Sequence, residues 1–505
     1  MSLAQKAAKG ALWTVVSSMG GRAVGVLGTL VMTRFLHTDE IGAVAAATVL
    51  AMTASWITIW GFGQYAVVKG RGPDALEVTW HATFAYVVLG ILSLGLMALL
   101  GPMVARHFHS AEVASYIPGM ALAMFIRRLA AMPERVLTRK MQFRASGMSL
   151  AFGEITYTIV AVSLAASGFG PMAIVIGNIV QSCVMLGILV AAAGWREWAT
   201  PTKIKRERLR EMLRFGLPLG VQNIANSASR YWDKLAITFF FGPAATGTYN
   251  LAYNLADVPA IQVGEQIALV LMPSMAELPP SRRPRAVERS TALLSLIIFP
   301  LATGLGFIAY PLIALLLPAN DWQQVAPLLA VLACLSVFRP ITWVLSAYME
   351  AEAKTGRLMF LELGKLVMLL GGIAALHRFG VVIAACAVGI AFGLTAIAGV
   401  AMVMREVPPD ADSAHLGARL AAGFMKPVIA CGIMGAVVWL VQRGLIHAGV
   451  MHPSIQLGAM IVAGGVAYVA AALIICRDTS RDLLDLVKKA LRREKPEAIE
   501  APAPL

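Results

Sequence analysis

The sequence predicts an all-α polytopic membrane protein with about fourteen transmembrane helices, in two parallel six-helix lobes plus two C-terminal helices around a central cavity. Of the 505 residues, 58% are hydrophobic and only 14% are charged, whereas a soluble domain carries about a quarter of charged residues. The apolar residues form long continuous runs that suit helices crossing a bilayer and not the short alternating strands of a barrel. Lysine and arginine collect in alternate loops, as they do in polytopic membrane proteins.

The same composition excludes several other classes of protein. The net charge of +14 would suggest nucleic acid as a partner of a soluble protein, but here basic loops of a membrane protein explain it, so no nucleic acid partner is expected. The five cysteines lie in or at the ends of apolar runs without metal-site spacing, so we expect neither a disulfide nor a metal site. The sequence has no phosphate-binding loop or catalytic motif, which predicts a protein that is not an enzyme and has no cofactor.

The apolar runs define the spans in chain order. The first run begins after Lys6 and Lys9 and is too long for a cleaved signal peptide. The fourth run is the weakest, because it contains Arg127 and Arg128. The fourteen predicted spans lie near 11–35, 41–66, 80–104, 115–133, 147–167, 171–194, 214–241, 245–272, 291–316, 325–348, 359–376, 380–403, 425–444 and 455–476.

Loop charges predict the orientation of these spans. When both termini are placed in the cytoplasm, almost every loop lysine and arginine falls on the cytoplasmic side, including the dense group in 195–213. The loops on the other side are short turns, such as the one at Gly242–Ala244. No outer loop is large enough to hold a catalytic domain.

An internal repeat predicts the organisation into lobes. When the chain is shifted by about 205 residues, the segment 29–51 aligns with a segment that ends at Ala256. Leu30 then falls on Leu235 and Gly42 on Gly247. Both segments are a span, a tight outer turn and the next span, and parallel repeats of this kind are typical of transporters. The predicted parts are an N-terminal lobe at 1–194, a basic cytoplasmic linker at 195–213, a C-terminal lobe at 214–404, extra spans at 405–476, and an amphipathic helix with a disordered tail at 477–505.

Polar side chains recur on single faces of spans one, seven and eight. They indicate a water-filled cavity between the lobes, or alternatively a set of hydrogen bonds and ion pairs that only hold the bundle together. Arg22 follows two glycines, which suits either contact with a ligand or close helix packing. Arg339 precedes Pro340, where a broken helix frees backbone carbonyls. The candidates for substrate binding are Arg22, Arg230, Asn226, Asn250, Asn254 and Arg339.

An ionisable group at membrane depth is costly unless it has a partner or a function, and four acidic residues in the predicted spans are candidates for a function. Each is a candidate for carrying a coupling proton or cation, and the alternative for each is a partner in a salt bridge. Arg230 and Asp257 reach a similar depth and can pair. The four are Asp233, Asp257, Glu265 and Glu154.

The start of each lobe resembles the Wzx-type polysaccharide transporters of the multidrug/oligosaccharidyl-lipid/polysaccharide (MOP) exporter superfamily. Arg230 and Asp233 fit that pattern as well, but Phe239 stands where the first lobe has Arg34, so the two outer turns need not be equivalent. The matching pieces are Arg34-Phe35-Leu36 to Gly42, GFGQYAV at 61–67, MPERVLTRKMQFR at 132–144 and FFGPAATGTYNLAYNLADVP at 240–259.

This resemblance implies a flippase of the bacterial inner membrane for lipopolysaccharide or exopolysaccharide biosynthesis. Its substrate would be an oligosaccharide linked to undecaprenyl diphosphate, turned from the cytoplasmic to the periplasmic leaflet by ion-coupled alternating access. The implied partners are this lipid-linked oligosaccharide, membrane lipids and the polysaccharide assembly machinery. The alternatives are a flippase of the peptidoglycan lipid precursor, a drug/cation antiporter, or a membrane glycan polymerase or ligase.

Overall fold

A computed structural model describes the chain between residues 20 and 491, and the described part consists of helices joined by short turns. The residues that it does not describe are 1–19, 22, 59, 71, 106–110, 141, 260–274, 276–277, 280–281, 319–320, 353, 406–415, 451 and 492–505. The helices are α1 (Ala23–Met32), α2 (Thr38–Ser55), α3 (Phe62–Lys69), α4 (Ala75–Ala105), α5 (Ala111–Arg139), α6 (Phe143–Ala166), α7 (Met172–Ala193), α8 (Arg206–Pro259), α9 (Arg283–Phe307), α10 (Ala309–Leu316), α11 (Val325–Leu335), α12 (Arg339–Ala351), α13 (Thr355–Leu376), α14 (Val381–Met404), α15 (Leu416–His447), α16 (Pro453–Ile475) and α17 (Arg477–Leu491).

Within the described residues, nine helical segments are long and apolar enough to cross a membrane. They coincide with predicted spans three, five, six and nine to fourteen, which confirms the all-α polytopic fold class. The nine segments are Ala75–Gly101, Arg144–Ala166, Met172–Ala193, Arg283–Phe307, Val325–Ala351, Gly356–Phe379, Val381–Met404, Gly417–His447 and Pro453–Ile475.

The second predicted span is broken in the structure. Helix α2 ends at Ser55, a 3₁₀ turn follows, and α3 begins after Gly61. Gly61 has a φ of 71°, a conformation that glycine adopts without strain. The break brings the backbone of Trp60 against α8, where a Cβ built on Gly216 would lie 1.8 Å from the Trp60 carbonyl oxygen. The break therefore permits a close approach of two helices.

The seventh predicted span and the described part of the eighth are the two arms of α8. Its two arms meet at Gly242, whose φ of 82° and ψ of 177° are not helical. This residue lies at the outer turn that the sequence predicts. A residue with a Cβ would be strained there, so glycine permits the chain to reverse with no separate loop.

Helix α5 contains the weak fourth span and is unbroken through both of its arginines. The Nη2 of Arg128 donates to Ser55 Oγ at 3.2 Å, and the Nη2 of Arg127 donates to Gln181 Oε1 at 2.9 Å. Both guanidinium groups thus bond to side chains on neighbouring helices. Such hydrogen bonds make two arginines compatible with a helix at membrane depth.

The chain divides into two compact units. The first contains Met1–Val258, Ala309–Leu335 and Lys354–Thr395, and the second contains Pro259–Ile308, Ser336–Ala353 and Ala396–Leu505. In the second unit, α9, α15 and α16 share a core that includes Phe299, Met434 and Met460. The lobe boundaries drawn from the sequence are not tested by this division and stay a prediction.

The C-terminal helix α17 packs inside the second unit. Its Asp482 Oδ2 accepts an ion-pair contact from Arg289 Nε at 2.9 Å, and Ser480 Oγ donates to the carbonyl of Ala472 at 3.1 Å. These contacts attach it to α9 and α16. Its placement on the inner leaflet stays a prediction, and the tail beyond residue 491 lies outside the described residues.

Candidate functional site

A cavity of about 200 Å³ lies inside the first unit. Helices α1, α2, α6, α7 and α8 form its wall, so both segments of the internal repeat contribute to it. Most of its polar atoms belong to hydroxyl and amide groups, which donate and accept hydrogen bonds without a net charge. The lining residues are Thr29, Met32, Ile41, Val44, Ala45, Thr48, Val49, Met52, Tyr157, Ile174, Asn178, Tyr231, Lys234, Asn250 and Asn254.

The two repeat segments meet through their glycines at the outer turns. A Cβ built on Gly42 would lie 1.7 Å from the carbonyl oxygen of Pro243, and a Cβ on Gly247 would lie 1.9 Å from that of Thr38. Each glycine of the predicted pair therefore packs on the turn of the other segment. This reciprocal contact, which no larger residue permits, places α2 directly against the second arm of α8.

Lys234 supplies a positive charge to the cavity wall. Its side chain is 8% exposed, and its Nζ lies 5.3 Å from the centre of the Tyr253 ring and 5.9 Å from that of Tyr231. The faces of aromatic rings attract a cation at this distance. The two rings therefore hold the ammonium group in position beside the cavity.

Asp233, the neighbour of Lys234, is 1% exposed, and each of its carboxylate oxygens accepts a hydrogen bond. Its Oδ2 accepts from the Tyr249 hydroxyl at 2.8 Å, and its Oδ1 accepts from the backbone N–H of Lys234 at 2.8 Å. Asp257 lies within electrostatic range of both Asp233 and Lys234. Two of the predicted acidic candidates therefore surround one buried cation, as buried charges require.

Glu154 belongs to a second polar cluster, built on α5, α6 and α7. Its Oε1 accepts from Gln181 Nε2 at 3.0 Å, and the Oε1 of Gln181 accepts from Arg127. Helix α1 packs tightly against this cluster, since a Cβ on Gly25 would lie 2.7 Å from Glu154 Oε2. The glycine-rich face of α1 thus serves close helix packing at this level.

The structure brings together only some of the substrate-binding candidates. Asn250 and Asn254 line the cavity, whereas Arg230 and Asn226 lie earlier on α8 and are half-buried and exposed respectively. Arg339 begins α12 in the second unit, immediately after a 3₁₀ turn. The predicted pairing of Arg230 with Asp257 stays a prediction. Arg22 and Glu265 lie outside the described residues.

Sequence reasoning missed Lys234 as a lining residue of the cavity. It also missed Tyr157, Asn178 and Tyr231, which lie on the same wall. The repeat contains the signal that could have found the lysine, because the same shift aligns Thr29 with Lys234, and both residues line the cavity.

Comparison with known proteins identifies the family. A family model described as polysaccharide biosynthesis protein matches residues 31–327, which include the outer turns of both repeat segments, the linker and every lining residue of the cavity except Thr29. The chain belongs to this polysaccharide biosynthesis family.

Two relatives of the chain have names that refer to polysaccharide biosynthesis, and one of the two names also refers to transport. The succinoglycan biosynthesis transport protein ExoT of Rhizobium meliloti is 24% identical over 97% of both chains. The lipopolysaccharide biosynthesis protein WzxC of Escherichia coli is 22% identical over 70% of this chain and 72% of its own length. Together with the nine apolar segments of the described residues, these matches support a multi-pass membrane protein.

A solved structure shows the same fold. The lipid II flippase MurJ in an inward closed conformation superposes with a TM-score of 0.77, over 92% of this chain and 99% of its own. Sequence identity is 13%, so the likeness concerns the fold. A multidrug MATE transporter of the MOP superfamily in an inward-facing conformation superposes with a TM-score of 0.56.

Proposed function

We propose that this chain is a flippase that moves an oligosaccharide linked to undecaprenyl diphosphate from the cytoplasmic to the periplasmic leaflet of the bacterial inner membrane. The observation that carries the proposal is the cavity, which combines one fixed cation with hydroxyl and amide groups. Sugars present hydroxyls and a diphosphate presents negative charge, so both parts of such a substrate find matching groups. The names of the polysaccharide biosynthesis relatives support the same reading.

In this mechanism, the lipid tail stays in the bilayer while the polar head crosses between the helices. Arg230 gives a forked set of donors for the diphosphate, which an ammonium group does not provide. Asn250 and Asn254 bond to sugar hydroxyls at the cavity wall. Asp233 and Asp257, next to Lys234, are the candidates for a coupling proton or cation.

Alternating access requires that the outer turns separate when the cavity opens to the periplasm. The reciprocal glycine contact at Gly42 and Gly247 lies where that separation would occur. Backbone packing without interlocking side chains suits a contact that must break and form again. Both termini are placed in the cytoplasm in this proposal, in agreement with the distribution of basic loop residues.

The test is a vesicle assay with the purified full-length chain. Vesicles contain a fluorescent undecaprenyl-diphosphate oligosaccharide, and an imposed pH or sodium gradient drives its movement to the opposite leaflet. We expect gradient-dependent movement. Absence of movement with either gradient, from a protein that is folded and correctly inserted, would exclude this function. Lipid II in a parallel set of vesicles tests the peptidoglycan-precursor alternative, which the likeness in fold to the lipid II flippase favours.

Variants of Arg230 test in this assay whether its guanidinium group binds the diphosphate. Arg230→Ala is expected to lower the flipping rate by roughly 10- to 100-fold, because a charged hydrogen bond to the diphosphate is lost. Arg230→Lys should recover only part of the rate, since a point charge cannot bind two oxygens at once. Arg405→Ala, at an exposed position, is the matched control.

The competing account is that Arg230 only balances a buried carboxylate. In that account, the double variant Arg230→Ala with Asp257→Asn would flip substrate at nearly the wild-type rate. The proposal expects the double variant to be at least as slow as Arg230→Ala alone.

A further inference from the structure

The first turns of α8 have two different faces. One face, with Lys205 directly before it, forms ion pairs at the N-terminal end of α4. Lys205 Nζ lies 2.7 Å from Glu77 Oε2, and Arg208 Nη2 lies 3.2 Å from Asp74 Oδ2. The backbone N–H of Lys205 donates to Nε2 of His81 at 2.8 Å. This face is thus fixed to the rest of the first unit by paired charges and a backbone hydrogen bond.

The opposite face is exposed and carries three arginines at four-residue spacing. Arg206, Arg210 and Arg214 lie within one side of the helix, because residues four apart are neighbours on a helix surface. Arg206 also begins the helix, where the helix dipole disfavours a cation. An anion bound beside this residue would relieve that unfavourable position.

The same face continues as an apolar surface along the helix. Leu213, Leu217 and Val221 are 45%, 49% and 39% exposed, and they follow the arginines on the same side at a rise of about 1.5 Å per residue. A group of arginines directly followed by an apolar surface matches the two parts of a phospholipid, a phosphate head group and acyl chains. The ion pairs of Lys205 and Arg208 on the opposite face keep this surface directed away from α4.

We propose that this surface, formed by Arg206, Arg210, Leu213, Arg214 and Leu217, binds an anionic phospholipid of the leaflet that the charge pattern predicts to be cytoplasmic. The three guanidinium groups bind the phosphate, since arginine recognises phosphate through paired donors. The leucines contact the acyl chains. The proposal goes beyond the transport function and concerns a lipid that stays with the protein.

The test compares two triple variants with the same loss of charge. In the clustered variant, Arg206, Arg210 and Arg214 are each replaced by Gln. In the scattered control, Arg144, Arg196 and Arg405, which are also exposed, are each replaced by Gln. The full-length proteins are placed in nanodiscs of phosphatidylcholine and phosphatidylglycerol, released into detergent, and analysed by native mass spectrometry for retained lipid.

The wild-type protein and the scattered control should retain phosphatidylglycerol in preference to phosphatidylcholine. The clustered variant should lose this retention, on the order of 100-fold in affinity, because each cation near the membrane surface contributes comparably. Equal loss in the two triple variants would overturn the proposal, since net charge alone would then explain retention. Equal retention in all three proteins would also overturn it.

A photoactivatable phosphatidylglycerol identifies the position and the type of lipid in the wild-type protein. The crosslink should fall in the peptide that contains Leu213 and Leu217, and an excess of undecaprenyl diphosphate should not prevent it. A crosslink elsewhere, or its loss on adding undecaprenyl diphosphate, would overturn the assignment. In the second case, the surface would belong to the transported substrate.

Discussion

The hairpin of α1 and α2 and the hairpin formed by the two arms of α8 are aligned in sequence and line the same cavity, yet they differ in chemistry. At three aligned positions of the wall, the first hairpin has Thr29, Ala45 and Val49. The second has Lys234, Asn250 and Asn254. The glycines at which the hairpins meet are the same in both. The repeat has thus kept the residues that determine packing, whereas the second copy alone contains the charge and the amides.

The largest expected effect concerns the shared orientation of the two hairpins. Since both run in the same direction, both outer turns should face the periplasm, and so should the short turn at Phe379, which lies outside the two hairpins. Reporter fusions at Ala244 and Phe379 should give a periplasmic signal, and fusions at Lys203 and Arg283 a cytoplasmic one. An opposite signal at either pair would mean that the distribution of basic residues does not determine the orientation of this chain.

The next effect concerns the packing that the hairpins share. Gly42→Ala and Gly247→Ala each place a methyl group inside a backbone contact, so each should destabilise the protein by about 3 kcal/mol, at the high end for overpacking. Thermal unfolding in detergent measures this loss. Gly458→Ala is the matched control, because a Cβ there meets nothing within 4 Å. A loss at only one of the two glycines would show that the contact is not reciprocal.

A smaller effect is expected from making the second hairpin resemble the first. Lys234→Thr should lower flipping by roughly 10- to 100-fold through loss of a charged contact, whereas Thr29→Ala should change the rate little. Introducing Thr29→Lys into the Lys234→Thr protein should recover part of the rate, because both positions line one cavity. If Thr29→Ala is as harmful as Lys234→Thr, the chemical difference between the hairpins has no bearing on transport.

The smallest effect concerns the turn of the first hairpin. The hydrogen bond between His37 Nδ1 and Asp321 Oδ2, at 2.6 Å, raises the pKa of His37 above its ordinary value of 6.5. The contact therefore stabilises the turn fully at pH values below 6.5, and this contribution is lost as the pH rises through the raised pKa. Gly242 occupies the aligned position in the second hairpin, so that turn has no such dependence.

An NMR titration of His37 checks this expectation. In Asp321→Asn, the midpoint of His37 should fall towards the ordinary value, while the other histidines titrate as in the wild type. A midpoint that does not move would show that the exposed contact, with His37 73% and Asp321 46% exposed at the side chain, is not maintained in solution.

Much of the fold follows from the sequence, because a bilayer leaves a chain with long apolar runs few alternatives to helices. The glycine pair and the two asparagines of the wall could be found from the repeat and from helical periodicity. Two features could not. The break at Gly61 depends on how closely Trp60 approaches α8. The chain of Glu154, Gln181 and Arg127 depends on which helices are neighbours, whereas periodicity gives only the face of one helix.

The reciprocal glycine contact also restricts how the gene can evolve. A Cβ on either glycine would meet the backbone of the segment that contains the other, so Gly42 and Gly247 limit the same space. A larger side chain in one copy cannot be compensated by a smaller one in the other, because glycine is already the smallest residue. The two halves of a duplicated gene normally drift apart independently, but at this point they inherit a single shared constraint. Substitutions are therefore expected to accumulate at residues of the cavity wall, whereas Gly42 and Gly247 at the two turns are expected to stay glycine.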